Sequence, residues 1–236
     1  MSFADQLKYV WDVRGLLFRG LGISILIALV AVLIGFVIGV LLAMVKIAPK
    51  NNIFVKILDK FADVYITVIR GTPMLLQLLI MYNVVLVSIK ASSTNLLIPM
   101  IAFGVNSGAY IAEIIRSGIN SIDKGQMEAG RSVGLTWSRT MFSIVIPQAI
   151  KVVVPTLFNE IIILIKETSV CCYIALSVGG AQVWDLLGQA EKLGLGKAGA
   201  YMTLIVVAAL LYLLVILILT FVQKLIERRL LKNERK

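Results

Sequence analysis

Lys124-Gly125-Gln126-Met127-Glu128-Ala129-Gly130, continued to Gly134 and on to Ile146-Pro147, is a polar island between two strongly apolar runs. A polar insert of this length in an oily chain faces solvent and is placed to touch a partner. Gln126-Met127-Glu128-Ala129 has good helical propensity. Gly125 and Gly134 bracket it, so a short helix lying on a surface is expected, with Met127 and Leu135 as apolar anchors. These residues taken alone also fit an ordinary solvated loop.

The rest of the chain says what that surface is. Of its 236 residues 59% are hydrophobic and only 15% charged, and the mean hydropathy is +0.95, far above a soluble globular composition. Several apolar runs reach the ~20 helical residues needed to cross a hydrocarbon core. Inside lipid a segment must satisfy its own backbone, so the runs are read as helices. No alternating segments of the outer-membrane barrel kind occur. Five spans are expected: Ile23 to Val45, Ile57 to Ile89, Leu96 to Ile115, Val152 to Val178 and Ala200 to Leu219, within one domain, 1–236, whose polar loop covers about 120–140. The segment from Met1 to Arg19 reads as an interfacial helix ahead of the first span, Ala91 to Asn95 as a short loop, and the stretch through Gly194 and Gly196 as a glycine-rich loop. No cleavable signal peptide is evident.

The net charge of +10 is distributed by topology. Lys46, Lys50, Lys56 and Lys60 fall between spans 1 and 2. Arg116, Lys124, Arg131 and Arg139 surround the island. Lys224, Arg228, Arg229, Lys232, Arg235 and Lys236 form the tail. The intervening loops carry few basic residues, so the positive-inside rule puts the N-terminus outside and the C-terminus in the cytoplasm. Membrane lipid is therefore an expected partner and nucleic acid is not. The chain has no histidine, and its only cysteines, Cys171-Cys172, are adjacent and read as small hydrophobes. Neither a catalytic nor a metal-ligating set is expected. No Walker-type phosphate loop occurs either, so this chain is not expected to bind ATP by that route.

Polar residues inside the spans mark candidate functional positions, because a charge in hydrocarbon is costly unless paired or hydrated. Arg70 stands beside Gly71-Thr72-Pro73, which disrupts the helix. It either lines a wet functional site or pairs with a carboxylate and pins two helices. Asn106, Tyr110 and Glu113 recur at i, i+4 and i+7, flanked by Ser107, so this stripe faces protein or a cavity. Glu113 and Arg116, three apart, read as a structural pair. Glu160 could supply a desolvated counter-charge for a cation, and Asn159 can both donate and accept hydrogen bonds. Pro155, one turn earlier, would loosen the helix and free carbonyls. The alternative for Glu160 is an internal ion pair with Arg70 or Lys166.

Glu128-Ala129, Gly134, Ile144 and Pro147 fit the pattern E-A-A-x3-G-x9-I-x-L-P, with Gly130 in place of the second alanine and Ile146 in place of leucine. This resembles the cytoplasmic loop of permease subunits of ATP-binding-cassette importers. Ile69-Arg70-Gly71-Thr72-Pro73 with Gln77, Ala112-Glu113-Ile114-Ile115-Arg116-Ser117-Gly118-Ile119 and Lys166-Glu167-Thr168-Ser169 resemble, in the same order, motifs of the polar amino-acid permeases (the histidine, arginine and glutamine permease family). The resemblance implies an all-α membrane protein with the type I importer permease (MetI-like) fold in a bacterial cytoplasmic membrane. It implies a transport subunit that is not an enzyme. It also implies two copies of an ABC ATPase binding ATP and Mg, a second permease copy or paralogue, and an extracytoplasmic amino-acid-binding protein. The coupling helix would comprise Gly125, Gln126, Met127, Glu128, Ala129, Gly130, Gly134 and Leu135. Glu160, Asn159, Asn106, Ser107, Tyr110, Arg70 and Thr72 are the candidate cargo contacts. Asn159-Glu160 is similar to permeases that carry basic amino acids, so arginine, lysine or histidine is the expected cargo. Glutamine or another neutral or acidic amino acid, and an ATP-independent secondary transporter or channel, are the alternatives.

Overall fold

The computed structural model describes residues 1–90 and 94–232. Helix α1 is Phe3–Ile47, α2 Ile53–Arg70, α3 Met74–Ile80 with a π-helical turn Met81–Val85, α4 Val87–Lys90, and α5 Leu97–Asn120. Helix α6 is Lys124–Ser132, α7 Trp137–Thr140, and α8 Ile146–Glu167, reached through the π-helical turn Met141–Val145 and left through the 3-10 turn Thr168–Tyr173. Strands β1 (Leu176–Val178) and β2 (Ala181–Val183) follow, then α9 (Leu186–Leu195) and α10 (Tyr201–Lys232). Among the described residues four helical stretches are long and apolar enough to cross a membrane, or five when Ile53–Arg70 and Met74–Val85 count as one broken span. The expected break is where Gly71-Thr72-Pro73 placed it: Pro73 is extended (φ −64, ψ 136) and cannot donate into the preceding turn.

Four expectations change. The interfacial segment and the first span form one helix of 45 residues, about 68 Å long. Only Gly20-Leu21-Gly22 separates them, and glycine weakens a helix without removing an N–H as proline does. The fourth span ends before Val178, because Leu176–Val183 turns back as an antiparallel hairpin pairing Leu176 with Val183. Its turn is Gly179-Gly180, both at positive φ (58° and 80°), the glycine pair such turns require. The loop through Gly194 contains helix α9. The basic tail continues α10, with Arg235 and Lys236 beyond the described residues. Residues 91–93 of the expected Ala91–Asn95 loop also lie outside them.

The chain forms two compact units. The first comprises Met1–Ile34, Thr72–Val105 and Ile161–Leu219. Phe103, Ile27, Leu78, Ile98, Leu164 and Ile165 fill its main core, and Leu17, Leu186 and Leu204 a second. Asn95 ties the hairpin down. Its Nδ2 donates to the Ala175 carbonyl at 2.9 Å, and its Oδ1 accepts from the Ser177 N–H at 2.7 Å. Helix α9 is capped by Asp185, whose carboxylate accepts from the Leu187 and Gly188 N–H groups at 3.0 and 3.3 Å. Gly20 lets α1 meet that cap, since a Cβ there would stand 3.0 Å from the Asp185 carbonyl.

The second unit comprises Gly35–Gly71, Asn106–Glu160 and Thr220–Lys236. Here α1 and α5 interlock through small residues. A Cβ on Gly39 would lie 2.5 Å from Ile111, and one on Gly108 2.7 Å from Ile38. Such close approach substitutes for the hydrophobic drive that helices lack inside lipid. The end of α1 is fixed to α2 by charge. Lys46 Nζ stands 2.8 Å from Asp59 Oδ1 and 2.7 Å from Asp63 Oδ1, and Lys50 also engages Asp59. Two of the lysines that set the topology signal are therefore paired.

Candidate functional site

The polar island is a helix, α6, with defined ends. Asp123 caps it, its Oδ1 accepting from the Gly125 N–H at 2.8 Å. Gly125 is thus part of the first turn, where the sequence had suggested a break. The C-terminal break is at Gly134, as expected, with φ +84°. The Gly134 N–H reaches the Arg131 carbonyl at 3.0 Å and the Leu135 N–H reaches that of Gly130 at 3.1 Å, the paired bonds of a glycine-terminated helix. Gly130 is buried inside α6, and a Cβ there would lie 2.4 Å from Thr140 Cγ2.

This packing assigns two faces. Met127 turns inward onto Ile119, Met141, Val145 and Ala149. Gln126 accepts a hydrogen bond from Gln148 Nε2 at 3.1 Å. Glu128, Ala129 and Ser132 stay exposed, and Val133, which the sequence reading passed over, is 78% exposed just beyond them. An exposed β-branched residue directly before a helix-ending glycine was the available signal. The exposed face is short, polar at its start and apolar at its end, and α5 and α8 hold it rigidly.

The candidate cargo residues sort differently. Asn106 and Ser107 on α5 and Glu160 on α8 are buried, and Ser107 Oγ donates to Glu160 Oε1 at 3.0 Å. Residues 53 apart in sequence thus meet as a hydroxyl–carboxylate pair. A Cβ on Gly35 would stand 2.9 Å from the Ser107 Cβ, so α1 backs this pair closely. Tyr110, one turn along α5, is half-buried with the Arg70 guanidinium 5.3 Å from its ring centroid. Arg70 is exposed at the end of α2 and, among the described residues, forms no ion pair. The expected pair of Glu113 with Arg116 is present, Arg116 Nε lying 2.9 Å from Glu113 Oε2 with a second bond from Nη2 to Oε1. Two candidates stand apart. Asn159 is exposed, and Thr72 belongs to the first unit, where it holds Gln77 Nε2 through its hydroxyl at 2.7 Å. Pro155 sits inside α8, and its carbonyl accepts from Gln223 Nε2 at 3.0 Å.

A multi-span helical protein with buried polar groups on its spans and a rigid exposed helix between them is built as a membrane transport subunit. Residues 35–232 match the family described as binding-protein-dependent transport system inner membrane component, and the chain belongs to that family. Curated relatives include the putative glutamine transport system permease protein GlnP of Rickettsia bellii (strain RML369-C), 39% identical over 213 residues, covering 90% of this chain and 92% of the relative. The arginine transport system permease protein ArtQ of Bacillus subtilis (strain 168) is 36% identical over 216 residues, covering 92% and 93%. Among solved structures, an amino acid ABC transporter with histidines aligns with a TM-score of 0.82 at 34% identity, covering 97% of this chain and 99% of that one. The MetNI methionine ABC transporter in inward-facing form has a TM-score of 0.76 at 20% identity, with coverage of 93% and 98%, and supports the fold alone. The chain is thus a multi-pass inner-membrane permease of the type I importer fold. It is a transport subunit and not an enzyme; ATP hydrolysis resides on a separate ATPase subunit, and a binding protein supplies the cargo.

Proposed function

We propose that this permease of an amino-acid ABC importer carries a basic amino acid, and that Glu160 is the counter-charge for its side chain. The observation that carries the reading is the buried Ser107–Glu160 hydrogen bond, made by two polar groups set inside spans. A cationic side chain entering beside a desolvated carboxylate gains a charge-assisted bond that a neutral one does not. Asn106 and Tyr110 extend the site along α5, whereas Asn159 is assigned a weaker role because it is exposed. The relative named for arginine supports the basic cargo.

In this reading the face of α6 formed by Gly125, Gln126, Glu128, Ala129 and Ser132 receives the ATPase. Met127 and Gly130 fix that face to the permease, and Gly134 and Leu135 end it. Two ATPase copies binding ATP and Mg act on two permeases, identical or paralogous, so that closure of the ATPases rocks the spans between access states. On the positive-inside rule this reading takes α6 and the end of α10 to be cytoplasmic and the N-terminus to be outside.

Glutamine is the second reading, favoured by the relative at 39% identity that is named for it. Proteoliposomes holding the complete importer separate the two. Glu160→Gln is expected to lower arginine uptake at least about tenfold, while glutamine uptake and ATPase activity persist. Arginine uptake unchanged by the substitution refutes the counter-charge, and uptake of glutamine alone by the native protein replaces the cargo.

A further inference from the structure

A second polar cavity lies along α5, beyond the Ser107–Glu160 pair. Its volume is about 290 Å³, and it is lined by Arg70, Tyr110, Glu113, Ser117 and Thr156 among others. Its size is near the lower bound of small-ligand sites, about 300 Å³, and suits a ligand of amino-acid dimensions. Along α5 the cavity runs from Tyr110, three residues from Ser107, to Ser121, so it adjoins the Ser107–Glu160 pair and extends the path beyond it. Gly118 closes its floor: Val153 Cγ2 of α8 would lie 2.3 Å from a Cβ there, so only glycine lets α8 approach so closely.

The charge balance of this cavity is uneven. Glu113 is already held by both guanidinium bonds of Arg116. Arg70 has an aromatic face beside it and no carboxylate within ion-pair distance among the described residues. The wall therefore presents the Arg70 guanidinium, which Glu113 offsets only at longer range, a tyrosine ring and the Ser117 hydroxyl, while the Ser121 and Thr156 hydroxyls donate to the Gly118 and Val152 carbonyls. A planar, five-donor guanidinium at the end of α2 grips a two-oxygen anion through paired bonds.

We propose that this cavity is a carboxylate-binding station of the transport path, with Arg70 taking the α-carboxylate of the amino acid and Tyr110 and Ser117 framing it. The inference rests on the cargo being an amino acid and is independent of whether that cargo is basic. Station and counter-charge read different ends of the molecule: the cavity reads what all amino acids share, and Glu160 reads the side chain.

The test is displacement of radiolabelled arginine and of radiolabelled glutamine from the purified permease–ATPase complex without its binding protein. The displacing pairs are arginine against argininamide and glutamine against glutaminamide, which differ only in the α-carboxylate. The native complex is expected to prefer the acid over its amide by about ten- to a hundredfold. Arg70→Gln should bring that ratio near unity, while Glu160→Gln leaves it intact. Arg70→Lys, which keeps the charge and loses the fork, should give an intermediate ratio and stands in if Arg70→Gln fails to assemble. Equal binding of acid and amide by the native complex, absence of amino-acid binding, or a ratio that survives Arg70→Gln overturns the proposal. So does a phospholipid that co-purifies with the native complex and is lost in Arg70→Gln with the ratio unchanged, which would assign the guanidinium to a lipid phosphate. Arginine against neutral citrulline in Glu160→Gln scores the counter-charge separately.

Discussion

Gly130→Ala looks harmless, because alanine is what the loop pattern carries at this position and alanine is the better helix former. The structure predicts the opposite. The added Cβ would stand 2.4 Å from Thr140 Cγ2, 2.9 Å from its Oγ1 and 3.2 Å from its Cβ. Carbon atoms rest at about 3.5–4.0 Å, so α6 and the segment carrying Thr140 must part by about 1 Å. Thr140 cannot rotate away freely, because it is fully buried and its hydroxyl donates to the Thr136 carbonyl at 3.0 Å. Overpacking of this kind costs about 1–3 kcal/mol, and the gain in helix propensity returns about 0.5–1 kcal/mol. A net loss of about 1–2 kcal/mol remains, concentrated in the one helix proposed to meet the ATPase. The assay is cargo-stimulated ATP hydrolysis and uptake by the reconstituted importer, with thermal unfolding of the complex measured alongside. Gly130→Ala should weaken stimulation several-fold and lower the unfolding temperature. Gly130→Ala combined with Thr140→Ala, which removes the two closest atoms, should recover most of both. A single variant as stable and as well coupled as the native protein, or a double variant no better than the single, refutes the packing argument.

Two further predictions come from charges outside the cargo path. Asp59→Asn leaves Lys46 and Lys50, both bound to that carboxylate, with one partner fewer; Lys46 keeps Asp63, so the loss should be about 1–2 kcal/mol, and Asp59→Asn with Lys46→Met should recover part of it in the same thermal assay. Asp185 caps α9 from a buried site, and burial outweighs its two N–H bonds and pushes its carboxyl up from 3.8 to about 7. A carboxyl raised on folding binds its proton more tightly in the native state, so its contribution to stability is complete below about pH 4 and is lost as pH rises to about 7, by up to about 4 kcal/mol. Unfolding temperatures between pH 4 and pH 8 should therefore fall less steeply in Asp185→Asn, which keeps the cap, than in the native protein; parallel profiles would contradict this.

The large features were legible because they are periodic or compositional. Apolar runs gave the spans, proline and glycine gave the break at Gly71-Thr72-Pro73, and the i, i+4 polar stripe put Asn106 and Tyr110 on one face of α5. What escaped was set by partners distant in sequence. Leu176–Val183 is as apolar as the span before it, and its hairpin depends on Asn95, some 80 residues earlier. Helix α9 reads as a glycine-rich loop because glycine propensity argues against a helix. Yet Gly188 makes room for the Asp185 cap and Gly194 for Tyr201. Gly125 reads as a break for the same reason, and Asp123 overrides it with a cap. Glycine in this chain thus has two uses that look alike in sequence. It turns the backbone at Gly134, Gly179 and Gly180, where φ is positive, and it admits a neighbouring helix at Gly35, Gly39, Gly108, Gly118 and Gly130. Spacing separates them in part. Gly35 and Gly39, like Gly104 and Gly108, are four apart in apolar runs, the pattern of helix contact, whereas Gly179-Gly180 are adjacent. The second use matters more for the site, because Gly35 backs Ser107, Gly118 floors the Arg70 cavity and Gly130 seats the exposed helix. The side chains proposed to touch cargo and ATPase are thus positioned by residues that have no side chain, which composition counts and periodicity leaves blank.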